Sequence, residues 1–227
     1  MLDVHPPHKA IRGTGEFFLH LLTITIGLLI AVGIEAAVTR HEHTKLAHEA
    51  AETMTAEIRR NLDNTKDAVK LIEEQQAHMD ANLAALAKIQ DDPKSSASQD
   101  AHIDASYGGV DFESTAWRTA QATQALSYMP YEQAQKFSGI YDNVQVLEKA
   151  QQVIVEDEAQ FLGIVHRYTS KRGDMSKDEA DAMAERFGIW QGHLMTVHIA
   201  AKLLLEEESA FLEHREPLHH MSEKIHN

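Results

Sequence analysis

The chain of 227 residues contains no cysteine. That excludes disulfides, thiolate metal sites and cysteine nucleophiles. Helix breakers are also scarce, with only five prolines and eleven glycines. Pro6 and Pro7 stand in the first residues, and Pro93, Pro130 and Pro217 divide the rest of the chain. From Glu16 to Gln90 only Gly27 and Gly33 interrupt a sequence dominated by strong helix formers. No segment alternates with the period of two that marks a strand, so the expected fold class is all-α. Positive charge is in deficit, 21 Lys+Arg against 35 Asp+Glu, for a net charge of −14. Residues 1–16 are neutral, Lys9 and Arg12 against Asp3 and Glu16, so the excess lies beyond them. An acidic block argues against nucleic acid as a partner and against lying flat on an anionic leaflet. There is no G-x-S-x-G, phosphate loop or dinucleotide fingerprint, and no enzymatic activity or cofactor is expected.

What the chain does have is one long apolar run, Phe17 to Ile34, without a charge. As a helix it covers roughly 27 Å, close to the thickness of a hydrocarbon core. A signal peptide would have a shorter apolar centre and a better cleavage site than Ala31-Val32-Gly33. A buried core helix would be shorter and show a polar face. The expected organisation is therefore a loose tail over 1–15, a transmembrane helix over 16–38, a helical soluble domain over 39–216 and a tail over 217–227. Lys9 and Arg12 before the span balance Arg40 and Lys45 after it. The short tail against a long acidic block points to an amino-terminus inside and a bulk outside, in the periplasm of a bacterial inner membrane.

Within the span Thr23, Gly27, Ala31 and Glu35 recur every four residues, a stripe that lets a second helix approach closely. They are the candidate helix–helix contacts, with the lipid bilayer and the chain itself or other membrane subunits as partners. His20 and Glu35 end the stripe about 22 Å apart, too far to pair within one helix, and suit headgroup level.

Beyond the span the helix is expected to continue to about Gln90. Leu62, Thr65, Val69, Ile72, Gln76, Met79, Leu83 and Leu86 are spaced as a coiled-coil seam. Before it, Leu46, Ala50, Met54, Ile58 and Leu62 step by four. A Pro93 and serine cluster forms a loop, and a helix is expected from Asp111 or Ser114 through Tyr128. Pro130 then opens a helix to about Ser170, its seam running from Ile140 through Ile154 and Phe161 to Val165 and Tyr168. After a turn at 171–174, Ser176 and Glu179 form a capping box. The last helix carries Met183, Phe187, Trp190, Leu194, Val197, Ala201 and Leu204, with Glu208 in the gap before Phe211, and is expected to end at Pro217. The last two helices read as an antiparallel hairpin.

Fifteen histidines raise the question of a metal. His41 and His43 diverge on a helix, His41 and His48 lie two turns apart, and His193 and His198 do not share a face. His219 and His220 lie in the tail with His226. Glu216-Pro217-Leu218-His219 has the Glu-x-x-His spacing of a di-iron element, but Pro217 interrupts it. No metal site is expected, since a zinc needs three or four convergent ligands. Trp117, with Thr119 and Ala120 among further small neighbours, is the most distinctive soluble stretch, readable as a ligand pocket or as close helix packing.

The order of features resembles an uncharacterised bacterial family of single-span proteins. Its span has the form L-x-x-x-x-G-x-L-I-A-x-x-I-E, here Leu22, Gly27, Leu29, Ile30, Ala31, Ile34 and Glu35. The Trp-centred stretch Ser114 to Ala120, with Ala125 and Leu126, and the helix bearing Tyr141 also resemble it. The resemblance covers the first 60 residues and roughly 111–150, and it implies architecture, not chemistry. The expected role is a membrane-anchored scaffold or accessory subunit of an envelope complex. An extracytoplasmic ligand-sensing bundle is the alternative.

Overall fold

The computed structural model describes residues 13–100, 103, 107–168 and 175–218, the side chains of 99 and 165–168 excepted. The expected turn at 171–174 and His219, His220 and His226 lie outside the described residues, and so do the side chains of the seam positions Val165 and Tyr168. The described part is all-α, with no strand. It comprises α1 (Thr14–Asp91), α2 (Ser96–Gln99), α3 (Thr115–Ala122), a 3₁₀ turn (Ala125–Tyr128), α4 (Tyr131–Tyr168) and α5 (Lys177–Leu212).

α1 is one unbroken helix of 78 residues, about 117 Å long. It already holds Thr14 and Gly15, which their glycine-rich surroundings assign to a loose tail. It ends where Asp92 turns extended ahead of Pro93. The serine cluster there packs on the helix end as well as looping: the Ser98 hydroxyl donates to Lys88 O at 3.0 Å and lies 2.6 Å from Asp92 O, adding to the backbone bonds that these carbonyls accept.

Polar pairs give the directions. Gln90 meets Asp181, Asp80 meets Gln191 and Thr65 meets Glu208, so α5 runs antiparallel to α1. Gln160 meets Arg186, Asp157 meets His193 and Asn143 meets Glu207, so α5 runs antiparallel to α4 as well. α1 and α4 are therefore parallel, and the chain between them must return along the bundle. It does so as a mostly non-helical thread from Tyr107 to Glu113 in contact with α1 and α4.

The cores of α4 and α5 follow their apolar registers. Ile140, Val144, Leu147, Ile154 and Phe161 are buried, as are Met183, Phe187, Trp190, Leu194, Val197, Ala201 and Leu204. Burying each large side chain stabilises by about 1.5–3 kcal/mol. α5 opens on the expected capping box, with Ser176 N donating to Glu179 Oε2 at 2.7 Å and Glu179 N donating to Ser176 Oγ at 3.3 Å.

Three expectations are corrected. In α1, Thr65, Ile72, Met79 and Leu86 are buried, but Leu62, Val69, Gln76 and Leu83 are only half-buried. The other buried positions include Asn61, Ala68, Asn82, Ala85 and Ile89, because the inward face meets α5, α3 and the returning thread and does not form a two-helix seam. The helix expected to run through Tyr128 stops at Ala122, since Gln124 takes a left-handed conformation with φ 59°. α5 ends at Leu212 and not at Pro217: His214 is left-handed with φ 56°, and Arg215 N donates to Ala210 O at 3.0 Å, closing the helix as a Schellman turn does.

Candidate functional site: the apolar segment, its junction with the bundle and the buried polar layer

Among the described residues, the apolar part of α1 is not buried against any other element. Every residue from 14 to 42 is exposed, with Leu19 and Leu29 each 65% accessible. The helix is long and apolar enough to cross a membrane, which makes it a candidate span. Thr23, Gly27, Ala31 and Glu35 lie on this exposed segment. The Thr23 hydroxyl donates back to Leu19 O at 2.9 Å, and a Cβ added at Gly27 would meet nothing within 4 Å. Among the described residues Thr23, Gly27 and Ala31 thus pack against no other element.

Where the apolar segment ends, the 3₁₀ turn leans on α1. The Tyr128 ring stacks on the His43 imidazole at 3.8 Å between centroids and 10° between planes. Together they wall an open crease of about 640 Å³ lined by Val32, Glu35, Ala36, Thr39, Arg40 and Thr44. Sequence periodicity could not place this junction, because Tyr128 arrives there through the break at Gln124.

Trp117 and Ala120 are buried, while Thr119 is exposed and donates to Thr115 O at 2.8 Å. Trp117 stacks on Tyr141 with ring centroids 5.0 Å apart and planes 12° apart. Beneath them lies Glu57 of α1, 1% exposed. Its Oε2 accepts from Ala116 N at 2.8 Å, and its Oε1 accepts from Tyr141 Oη at 2.7 Å and lies 3.4 Å from Trp117 N. Ser114 makes no side-chain cap on α3. Glu57 supplies that cap from another helix, satisfying N–H groups at the second and third helical positions. Burial and the Glu57 hydrogen bond push the Tyr141 phenol well above its ordinary range.

The same polar edge of α1 holds the returning thread. Asn61 exchanges hydrogen bonds with both backbone groups of Glu113, each at 2.8 Å. Asn64 Nδ2 donates to Asp111 O at 3.1 Å, and Arg60 grips the Glu113 carboxyl through Nε and Nη2. That pair holds the Glu113 carboxyl below the usual carboxylate range. From α4, Gln151 takes Val110 N at 3.0 Å and gives to Val110 O at 3.2 Å, while Glu158 takes Tyr107 N at 3.1 Å. Gly108 passes so close that an added Cβ would lie 3.3 Å from Leu71 Cδ2. The thread has no ladder of its own, and these side chains satisfy its backbone.

One turn further along, Thr65 Oγ1 lies 2.9 Å from Asn61 O and 2.7 Å from Glu208 Oε2. Burial pushes the Glu208 carboxyl up to about 8. The hydroxyl has one proton, so it satisfies both oxygens only if Glu208 carries a proton of its own and donates it to Thr65. Asn61, Thr65 and Glu208 therefore form a buried polar layer, of which the apolar seams show Thr65 and Glu208 only as interruptions.

Arranged this way the polar groups cap, clamp and orient. Each of these side chains has a structural partner, although Glu208 Oε1 is buried without one. His193 pairs with Asp157 at 2.6 Å, and His198 lies 3.3 Å from Glu73. Among the described residues no three His, Asp or Glu side chains converge as a metal would require. Comparison of the chain with protein-family models, curated proteins and solved structures gave no match.

Proposed function

We propose that this protein is a single-pass, membrane-anchored helical scaffold or accessory subunit of a bacterial envelope complex, and not an enzyme. The observation that supports this reading is the continuity of α1. One helix carries a wholly exposed apolar segment directly into a buried core without a break. A flexible tether would hold the bundle near a membrane in any orientation. A continuous helix instead ties the bundle's direction to that of the span, which suits a part that sets geometry between partners. In this reading the bulk of the chain lies on the periplasmic side of the inner membrane.

In this reading Thr23, Gly27 and Ala31 form the contact with a second span, either another copy or a different subunit, and Glu35 lies at its foot. Small side chains bring backbones close where association in lipid rests on packing. The ligand-sensing alternative is weakened because the space beside Trp117 is filled by Tyr141.

The test uses a fragment ending at Glu49, so that the bundle cannot hold copies together, in a membrane self-association assay. Gly27→Leu should abolish association while leaving insertion intact, since Leu favours the membrane more than Gly. Leu28→Ala, on the neighbouring face, should keep it. Equal signals from all three would leave the segment as an anchor without a self-contact.

A further inference from the structure

The crease at the foot of the apolar segment is a place where the chain has polar groups and no internal use for them. Val38 is the last large apolar residue exposed on the segment, at 52%, and Ala47 is the first residue of α1 to enter the core. Glu35 is the first charge after the apolar run 17–34, so residues 35–46 occupy the layer between hydrocarbon and bundle, at headgroup depth if that run lies in a bilayer. Two tyrosines stand at this end of the bundle, Tyr128 at 38% and Tyr131 at 76% exposure. Amphipathic rings of this kind favour the membrane–water interface.

Within the crease Arg40 supplies the cation and Glu35 the anion. Neither side chain makes an ion pair or hydrogen bond with another described residue, and they do not pair with each other. They sit about 7.5 Å apart along the axis. Helical side chains tilt toward the amino-terminus, which carries the long Arg40 arm back toward the level of Glu35 and the membrane. Thr39 adds a hydroxyl between them, and the stacked pair His43 and Tyr128 closes one side. Above lies Val32, continuous with the lipid-exposed face.

We infer that this crease binds the headgroup of a zwitterionic aminophospholipid. Arg40 and Thr39 hold the phosphate, Glu35 takes the ammonium, and the acyl chains lie along the segment at Val32. A guanidinium and a carboxyl left unpaired in one crease, about 7.5 Å apart along the axis, match a ligand carrying both charges. A purely anionic headgroup would meet repulsion from Glu35. The inference rests on the reading of 16–38 as a span.

The test takes the full chain in nanodiscs made of equal parts phosphatidylethanolamine and phosphatidylglycerol, and native mass spectrometry counts the lipids retained on the protein. Wild type should retain phosphatidylethanolamine in preference by about tenfold, the scale of one charge-assisted contact. Arg40→Gln and Glu35→Gln should each bring that ratio close to one. Both residues are exposed and unpartnered, so the fold should survive either change. Lys45→Gln, whose side chain faces Glu49 outside the crease, should behave as wild type. A wild type without preference, or a preference that survives both substitutions, overturns the inference. So does a preference for phosphatidylglycerol lost in Arg40→Gln alone, which would make the site an anionic-lipid site. Displacement of the retained lipid by soluble O-phosphoethanolamine would assign the crease to a free phosphoester instead. Failure of the chain to enter the discs overturns the span reading and this one together, whereas entry without preference overturns only this one.

Discussion

Glu57 and Tyr141 stand 84 residues apart in the chain and meet at 2.7 Å inside the bundle. The contact joins three elements, because the other oxygen of Glu57 holds the amide of Ala116 at the start of α3. It locks the parallel pair α1 and α4 at the point where the returning chain re-enters a helix. Parallel helices cannot be joined by a short loop, so the fold needs a return segment and something to hold it. Glu57, Asn61 and Asn64 on one side and Gln151 and Glu158 on the other do that.

Replacing Glu57 by Leu removes the acceptor for two helix amides and a buried phenol. Unsatisfied buried groups cost about 1–3 kcal/mol each, so Glu57→Leu should lose about 3 kcal/mol or more. Tyr141→Phe removes one hydrogen bond and should lose about 1–2 kcal/mol. Urea unfolding of both variants checks the order. A Glu57→Leu protein as stable as wild type would mean that α3 needs no cap from α1.

Glu208 should make stability depend on pH. Its folded value is raised, from 4.5 to about 8, by burial. A raised value contributes stability in full below the unfolded value and loses it as pH climbs through the folded one. The melting temperature of wild type should therefore fall between about pH 5 and pH 9 relative to Glu208→Gln, which keeps a donor for Thr65 without a charge. Parallel profiles for the two proteins would remove Glu208 as the cause.

Trp190 is 2% exposed and packs against Phe161 and Phe187 with ring centroids 6.0 and 6.2 Å away. Trp190→Ala should cost about 3–5 kcal/mol through lost burial and the cavity left behind. The near-ultraviolet dichroism should weaken as the melting temperature drops. An unchanged melting temperature would contradict the burial.

Gln124 holds a left-handed backbone at φ 59° on an exposed turn. Glycine has no Cβ to strain there, so Gln124→Gly should be neutral or stabilise by up to about 1 kcal/mol. Gln124→Val should destabilise, since a β-branched residue fits this region worst. Thermal unfolding of the two variants should move in opposite directions or at least separate clearly. If both matched wild type, the break after α3 would not depend on that conformation.

Much of this architecture is legible in the residues themselves. The scarcity of proline and glycine from Glu16 to Gln90 and the period of the apolar positions are local properties of a helix. They place α1, α4 and α5 and most of the buried faces of the last two. Ser176 and Glu179 announce their own cap because both partners sit within one turn. The apolar run from Phe17 to Ile34 is equally plain, since hydropathy needs no context. What tertiary structure decided is of another kind. Glu208 reads as a gap in a seam and Asn61 stands outside one, yet both are buried because a thread or a helix more than fifty residues away presses polar groups against them. Glu57 caps a helix to which it does not belong. Tyr128 reaches His43 only because Gln124 adopts a conformation that no periodicity encodes. Apolar burial repeats along the chain and can be read from it, whereas a hydrogen bond between distant elements depends on where the backbone has been brought, and only the folded packing supplies that.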